Sequence, residues 1–158
     1  MFGFGRSSLP LIRPLQVEWA ADCARLHAAA FAHPWSTEQI VALIVASSTL
    51  SAAALDPAGG RLRGFVIARF AADEAEILTI TVESQARGRG VGRALLGESL
   101  RQAANAGARK VFLEVGADNV AAISLYNRFG FVKVGERAGY YRRAGGLATA
   151  LIMRKSLR

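Results

Sequence analysis

The densest chemistry in the chain lies in Arg87-Gly88-Arg89-Gly90-Val91-Gly92, followed by Arg93. This segment sits between a β-branched run, Ala75 to Val82, and an amphipathic run from about Val91 to Ala106. Glycine lets the backbone turn tightly and approach a ligand closely. The N–H groups at a helix start then face that ligand, and the helix dipole favours negative charge. Arg87, Arg89 and Arg93 add cationic charge. The ligand class this points to is a phosphate or pyrophosphate. Two familiar phosphate loops do not fit. There is no Lys for G-x-x-x-x-G-K-[ST], and Arg93 stands where G-x-G-x-x-G needs its third glycine. On the loop alone, a plain connecting turn is the alternative.

Glu114 is the second candidate. It sits inside an apolar run, Val111-Phe112-Leu113-Glu114-Val115. A carboxylate there is costly unless it is partnered. At the level of the residues two roles stay open: a general base, or a structural ion pair, for instance with an arginine. Cys23, His27 and His33 offer no ligand spacing, so no metal site is expected and these residues read as structural or incidental.

The elements that must position these groups follow from periodicity. Val17 to Ala32 places Ala20, Cys23, Ala24, His27, Ala28 and Phe31 at three- and four-residue steps, which predicts a helix with one apolar face. Ser36-Thr37-Glu38-Gln39 is a capping box for a second helix carrying Ile40, Leu43 and Ile44 inward. Leu50 to Leu55 and Arg63 to Phe70 read as a hairpin around Asp56 to Gly60, and Ala75 to Val82 as a third strand. Lys110 to Val115 is a strand, and Asn119 an N-cap for the helix Val120 to Phe129, which Gly130 stops. Phe131 to Val134 and Ala148 to Arg154 are the last strands, joined by GERAGYYRRAGG. The expected class is α/β: a mixed, largely antiparallel sheet of about six to seven strands with helices on both faces.

Length and composition set the bounds. A chain of 158 residues is expected to be one domain, 1–158, and can bury a core without disulfide or metal staples. Hydrophobic residues make up 52%, which excludes a disordered chain. The longest apolar run, Ile40 to Leu55, is broken by serines and Thr49 and is too short to span a bilayer. The N-terminus lacks the pattern of a signal peptide. A cytoplasmic protein without membrane partners is expected. The net charge of +8 suits polyanions. No basic run is interleaved with aromatics, so direct nucleic-acid binding is not expected.

Arg87 to Gly92 resembles the R/Q-x-x-G-x-G/A signature of the GNAT superfamily of N-acetyltransferases. The register QARGRG at Gln85 to Gly90 also fits the formula. The one starting at Arg87 stands five residues after Val82, as the family places it. His33-Pro34-Trp35-Ser36, Leu113-Glu114-Val115, Asp118-Asn119, Leu125-Tyr126, Gly130-Phe131 and Tyr140-Tyr141 are similar, in order and spacing, to the bacterial ribosomal-protein-alanine N-acetyltransferases of the RimI type. The resemblance covers roughly Phe31 to Met153. It implies acetyl-coenzyme A as co-substrate, with its pyrophosphate on Gly88, Arg89, Gly90, Val91, Gly92 and Arg93 beside Arg87. It implies that the backbone of Ile80, Thr81 and Val82 holds the pantetheine and acetyl carbonyl, and that Asn119 touches the cofactor. Glu114 looks like the general base and Tyr126 like the acid, close to the cofactor sulfur. Each has a structural alternative: a core aromatic for Tyr126, a plain N-cap for Asn119.

Trp35, Tyr140 and Tyr141 are candidate walls of a peptide groove, or lids over the core. The segment Tyr140 to Ala150 contains no acid, only Arg142 and Arg143. It would repel a polycation and suits a peptide held by backbone and aromatic contacts. The substrate implied is a protein N-terminus, Ala-first and ribosomal, with the amine attacking the acetyl thioester directly. The alternatives are a small-amine acetyltransferase of the same fold and a non-catalytic cofactor- or RNA-binding module.

Overall fold

The computed structural model describes residues 9–58, 60–143 and 146–157, with the backbone alone for 140–143, 146 and 147. Along the chain run β1 (Leu11–Arg13), a 3-10 turn (Val17–Trp19), α1 (Ala20–Ala30), α2 (Thr37–Val45), β2 (Thr49–Leu55), β3 (Leu62–Ala71) and β4 (Glu74–Val82). A second 3-10 turn (Ser84–Ala86), α3 (Val91–Asn105), β5 (Lys110–Gly116), α4 (Val120–Arg128), β6 (Val132–Arg143) and β7 (Gly146–Ser156) follow. The strands form one seven-stranded sheet in the order β1-β2-β3-β4-β5-β7-β6. β4 and β5 pair in parallel, while β1 with β2, β5 with β7 and β6 with β7 pair antiparallel. This is the mixed, mostly antiparallel sheet that the sequence predicts. No helix among the described residues is long and apolar enough to cross a membrane.

The chain forms two compact units, Met1–Ile67 with Thr79–Ser99 and Ala68–Leu78 with Leu100–Arg158. In the first, α1 buries Ala20, Cys23, Leu26 and His27. α2 starts at the expected capping box: the Ser36 hydroxyl accepts the Gln39 N–H at 3.1 Å, and the Gln39 side chain accepts the Ser36 N–H at 2.8 Å. Phe65, Val66 and Ile67 are fully buried in succession, so β3 is covered on both faces there. Gly64 is a close approach. A Cβ placed on it would lie 2.8 Å from the Thr81 carbonyl oxygen and 3.2 Å from both Leu95 Cδ1 and Val91 Cγ1. This glycine lets β3 seat directly under the start of α3.

In the second unit β5 alternates, with Val111, Leu113 and Val115 buried and Phe112 and Glu114 half-buried. β7 pairs with it from Lys110↔Ser156 to Gly116↔Ala150. The parallel register with β4 is shorter, from Glu74↔Lys110 to Ile77↔Leu113. α4 ends as predicted at Gly130, whose φ of +88° is left-handed. The Phe131 N–H then returns to the Tyr126 carbonyl at 3.0 Å.

The helix expected over Val17 to Ala32 divides into a 3-10 turn and α1, with Ala28 and Phe31 exposed, and in α2 only Ile40 is buried, Leu43 and Ile44 being half-buried. Two strand features also differ from the sequence reading. β1 is only three residues long, between prolines, and offers no alternation to detect; pairing with Ala53 to Leu55 creates it. β6 and β7 run well past Val134 and before Ala148, through segments whose glycines and arginines read as a loop. Ladder pairing overrides that composition, since strand preference depends strongly on context.

Gly64→Ala forces a side chain against a backbone carbonyl, and overpacking of this kind costs about 1–3 kcal/mol. The expected result is a lower unfolding temperature in a thermal melt. An unchanged melt would show that β3 and α3 can separate freely.

Candidate functional site

The first unit holds the anion loop. On β4, Thr79 and Thr81 are buried with their hydroxyls 2.9 Å apart, and Ile80 and Val82 are half-buried. Glu83 follows at once and is also buried. Arg63 donates to its carboxylate at 2.7 Å and to Asp56 at 3.0 Å, and Arg61 donates to it as well. The hydrogen bond from Arg63, with the charges of both arginines, holds the Glu83 carboxyl below the usual range despite burial. The Glu83 N–H donates to the Arg63 carbonyl at 2.8 Å, so backbone and side chain together fix where β4 ends.

Beyond Glu83, the Arg87 Nε donates to the Val82 carbonyl at 3.3 Å. Gly88 (φ +74°) and Gly90 (φ +83°) are both left-handed, the conformation glycine adopts without strain. A Cβ on either would have no heavy atom within 4 Å, so the loop faces open space. The Gly90 carbonyl accepts the Ala94 N–H at 3.0 Å, and Val91 is anchored in the core. The N–H groups of Val91, Gly92 and Arg93 therefore belong to the first turn, where no intrahelical acceptor exists. Arg89 and Arg93 are exposed beside them. A pocket of about 270 Å³ lies between α1, at Arg25, Leu26 and Ala29, and residues 82–85 with Arg87.

Trp35 is held in the same unit by His27. The buried imidazole stacks between Phe31 (4.3 Å between centroids) and Trp35 (4.6 Å). Its Nδ1 accepts the Trp35 N–H at 3.1 Å.

The second unit holds the other candidates. Glu114, 23% exposed, is ion-paired with Arg137 at 3.0 Å. Asn119 caps α4, its side-chain oxygen accepting the Ala122 N–H at 3.3 Å. The Tyr126 ring is buried and edge-on to Phe131 at 5.8 Å. Tyr140 and Tyr141 lie on β6 with side chains outside the described residues, and Gly145 lies outside them altogether. Among the described residues no group of three His, Cys, Asp or Glu is placed to hold a metal ion. Sequence reasoning missed Glu83 and Arg137, while His27, read as structural or incidental, is structural. The signal for Glu83 was present: a lone carboxylate directly after a β-branched run, with Arg61 and Arg63 in the preceding hairpin.

The family model described as Acetyltransferase (GNAT) family matches residues 17–131. The chain belongs to the GNAT acetyltransferase family. It is 43% identical over 101 residues to N-alpha-acetyltransferase RimI of Mycobacterium tuberculosis, 61% of either chain. It is 36% identical over 94 residues to the [ribosomal protein bS18]-alanine N-acetyltransferase of Escherichia coli, 60% of this chain and 64% of that one. It thus spans less than two thirds of the length of these curated relatives. Its fold is similar over 94% of both chains to the crystal structure of the ribosomal-protein-S18-alanine N-acetyltransferase from Escherichia coli, with a TM-score of 0.85 and 28% identity. The matched range of this GNAT chain includes the glycine loop, Glu114, Asn119 and Tyr126.

His27 makes the Trp35 anchor pH-dependent. Burial lowers the imidazole pKa from 6.5. The unfolded chain then binds more protons than the folded one just below pH 6.5, so stability rises with pH through that window and falls as pH drops. The melting temperature is expected to decrease from pH 8 to pH 5.5, and His27→Gln to flatten that decrease. An equal decrease in both proteins would place the titration elsewhere.

Proposed function

We propose that this GNAT chain is an acetyl-coenzyme A-dependent N-terminal acetyltransferase that acts in the cytoplasm on a protein α-amine, the N-terminal alanine of a ribosomal protein. The observation that carries this reading is the likeness, over 94% of both chains, to a structure named as an alanine N-acetyltransferase of ribosomal protein S18. The loop fits the co-substrate. Two left-handed glycines leave open space before the first turn of a 15-residue helix, and three arginines flank it. A diphosphate is the anion such a turn accepts.

When bound, acetyl-coenzyme A supplies an acetyl thioester that an amine attacks directly, giving an amide and a thiol. The amides of Gly88 to Arg93, with Arg87, would hold its diphosphate, and the backbone of Ile80, Thr81 and Val82 its pantetheine arm. Asn119 can cap α4 through its oxygen and still offer its amide N–H groups to the co-substrate. A peptide α-amine has a pKa of about 7.7–8.0 and is largely protonated at pH 7. Glu114 would accept that proton at a carboxylate oxygen, directly or through a water. Tyr126 holds a proton at Oη for the leaving group. By the resemblance to the family, Trp35, Tyr140 and Tyr141 are read as peptide-contacting residues. Arg142, Arg143 and the absence of acids from Tyr140 to Ala150 oppose a polyamine.

Short Ala-first peptides are expected to be acetylated at the α-amine, as located by mass spectrometry, with spermidine and aminoglycosides left unmodified. Efficient turnover of polyamines with none on peptides would replace this reading by that of a small-amine enzyme.

A further inference from the structure

We propose that Arg137 is a positioning residue for Glu114. The inference rests on the reading of Glu114 as the base and adds a group that orients it. Glu114 pairs with Ile152 on β7, and Ile152 with Gly135 on β6. Two residues along, Gly116 pairs with Ala150, and Ala150 with Arg137. Side chains two apart on a strand share a face, so Arg137 and Glu114 point to the same side of the sheet. Ile152 stands on that same side between Glu114 and Gly135, and the diagonal to Arg137 runs past it over Ala150, which carries only a methyl. The guanidinium crosses β7 diagonally and meets the Glu114 carboxylate at 3.0 Å.

This arrangement depends on one extra residue. The β6–β7 register slips between Lys133 and Gly135, leaving Val134 as a bulge. Continued without the slip from Lys133↔Met153, the ladder would place Glu136 opposite Ala150. A slip of one residue turns every later side chain to the other face. The Glu114 face would then carry a second carboxylate where it now carries a guanidinium. The bulge thus selects a cation, and a planar fork of donors can fix the orientation of a carboxylate as a single charge cannot. The glutamate is left 23% exposed and the arginine 53% exposed, so the pair is open to solvent. An ion pair this exposed adds little to stability. Its consequence is the direction in which the carboxylate oxygens point.

The test is steady-state kinetics of the full chain with acetyl-coenzyme A and an Ala-first peptide, comparing Arg137→Ala, Arg137→Lys, Glu114→Gln and the double variant Arg137→Ala/Glu114→Gln. Displacing a reacting group by roughly 1 Å can cost about 10²-fold. Arg137→Ala is expected to lower kcat by up to that factor, with KM for acetyl-coenzyme A and the melting temperature unchanged. Added guanidinium or Arg137→Lys should recover part of the loss. In the Glu114→Gln background, Arg137→Ala should cost nothing further. An Arg137→Ala variant at wild-type kcat, or one whose loss multiplies in full with that of Glu114→Gln, overturns the positioning role and leaves Glu114 as base. Wild-type kcat in Glu114→Gln, or no turnover by the wild type, overturns both assignments.

Discussion

The buried Glu83 carboxylate decides where the loop begins. It terminates β4, and Arg61 and Arg63 reach it from the adjacent hairpin, with Asp56 as a second acceptor for Arg63. Both arginines keep contact with solvent, so the clamp is a partly solvated ion pair whose main effect is on where the chain turns. Arg61 is half-exposed, so its share is smaller than that of Arg63. The clamp fixes a short turn, Ser84–Ala86, and from there two left-handed glycines lead into α3. Gly64 fixes the other end, because only a residue without a side chain lets β3 approach the Thr81 carbonyl and the first turn of α3 this closely. A loop that must present its amides to an anion is thereby held from both sides by groups that need not touch the ligand.

The same division of labour recurs elsewhere. Three of the candidate groups are backed by a residue with no candidate role of its own. Trp35 is set by the His27 stack and its hydrogen bond. Glu114 is set by Arg137, which a β-bulge delivers to its face. Tyr126 lies against Phe131, and the α4 stop at Gly130 returns the chain to bring that ring back. These supports are ordinary structural devices, and they turn a shared fold into particular side-chain directions.

The sheet class and the local turns and caps are legible in the sequence, while several strand limits are not. The glycine–arginine loop, the capping box at Ser36 and the N-cap at Asn119 are local patterns, and local hydrogen bonding and backbone conformation suffice to form them. β1 and the extended parts of β6 and β7 are not local, because strands partnered across the sheet define them and their own composition does not. The Arg137–Glu114 pair was hidden for a sharper reason. The two residues are far apart in sequence, and the pairing depends on a single unpaired residue, Val134, that no periodicity marks. Glu83 and its arginines were visible but ambiguous, since a lone carboxylate after a strand reads equally as a solvated loop residue.

In the proposed function, backbone amides of residues 87–93 at the start of α3 bind the co-substrate. Gly90→Asn tests this most directly. Asparagine tolerates a positive φ, and its side chain would enter the open space before the helix without meeting any protein atom within 4 Å of its Cβ. Isothermal titration of acetyl-coenzyme A is predicted to show binding to the wild type and a large loss of affinity in Gly90→Asn, at an unchanged melting temperature. Equal affinity in the two folded proteins would contradict the assignment and move the anion site away from this loop.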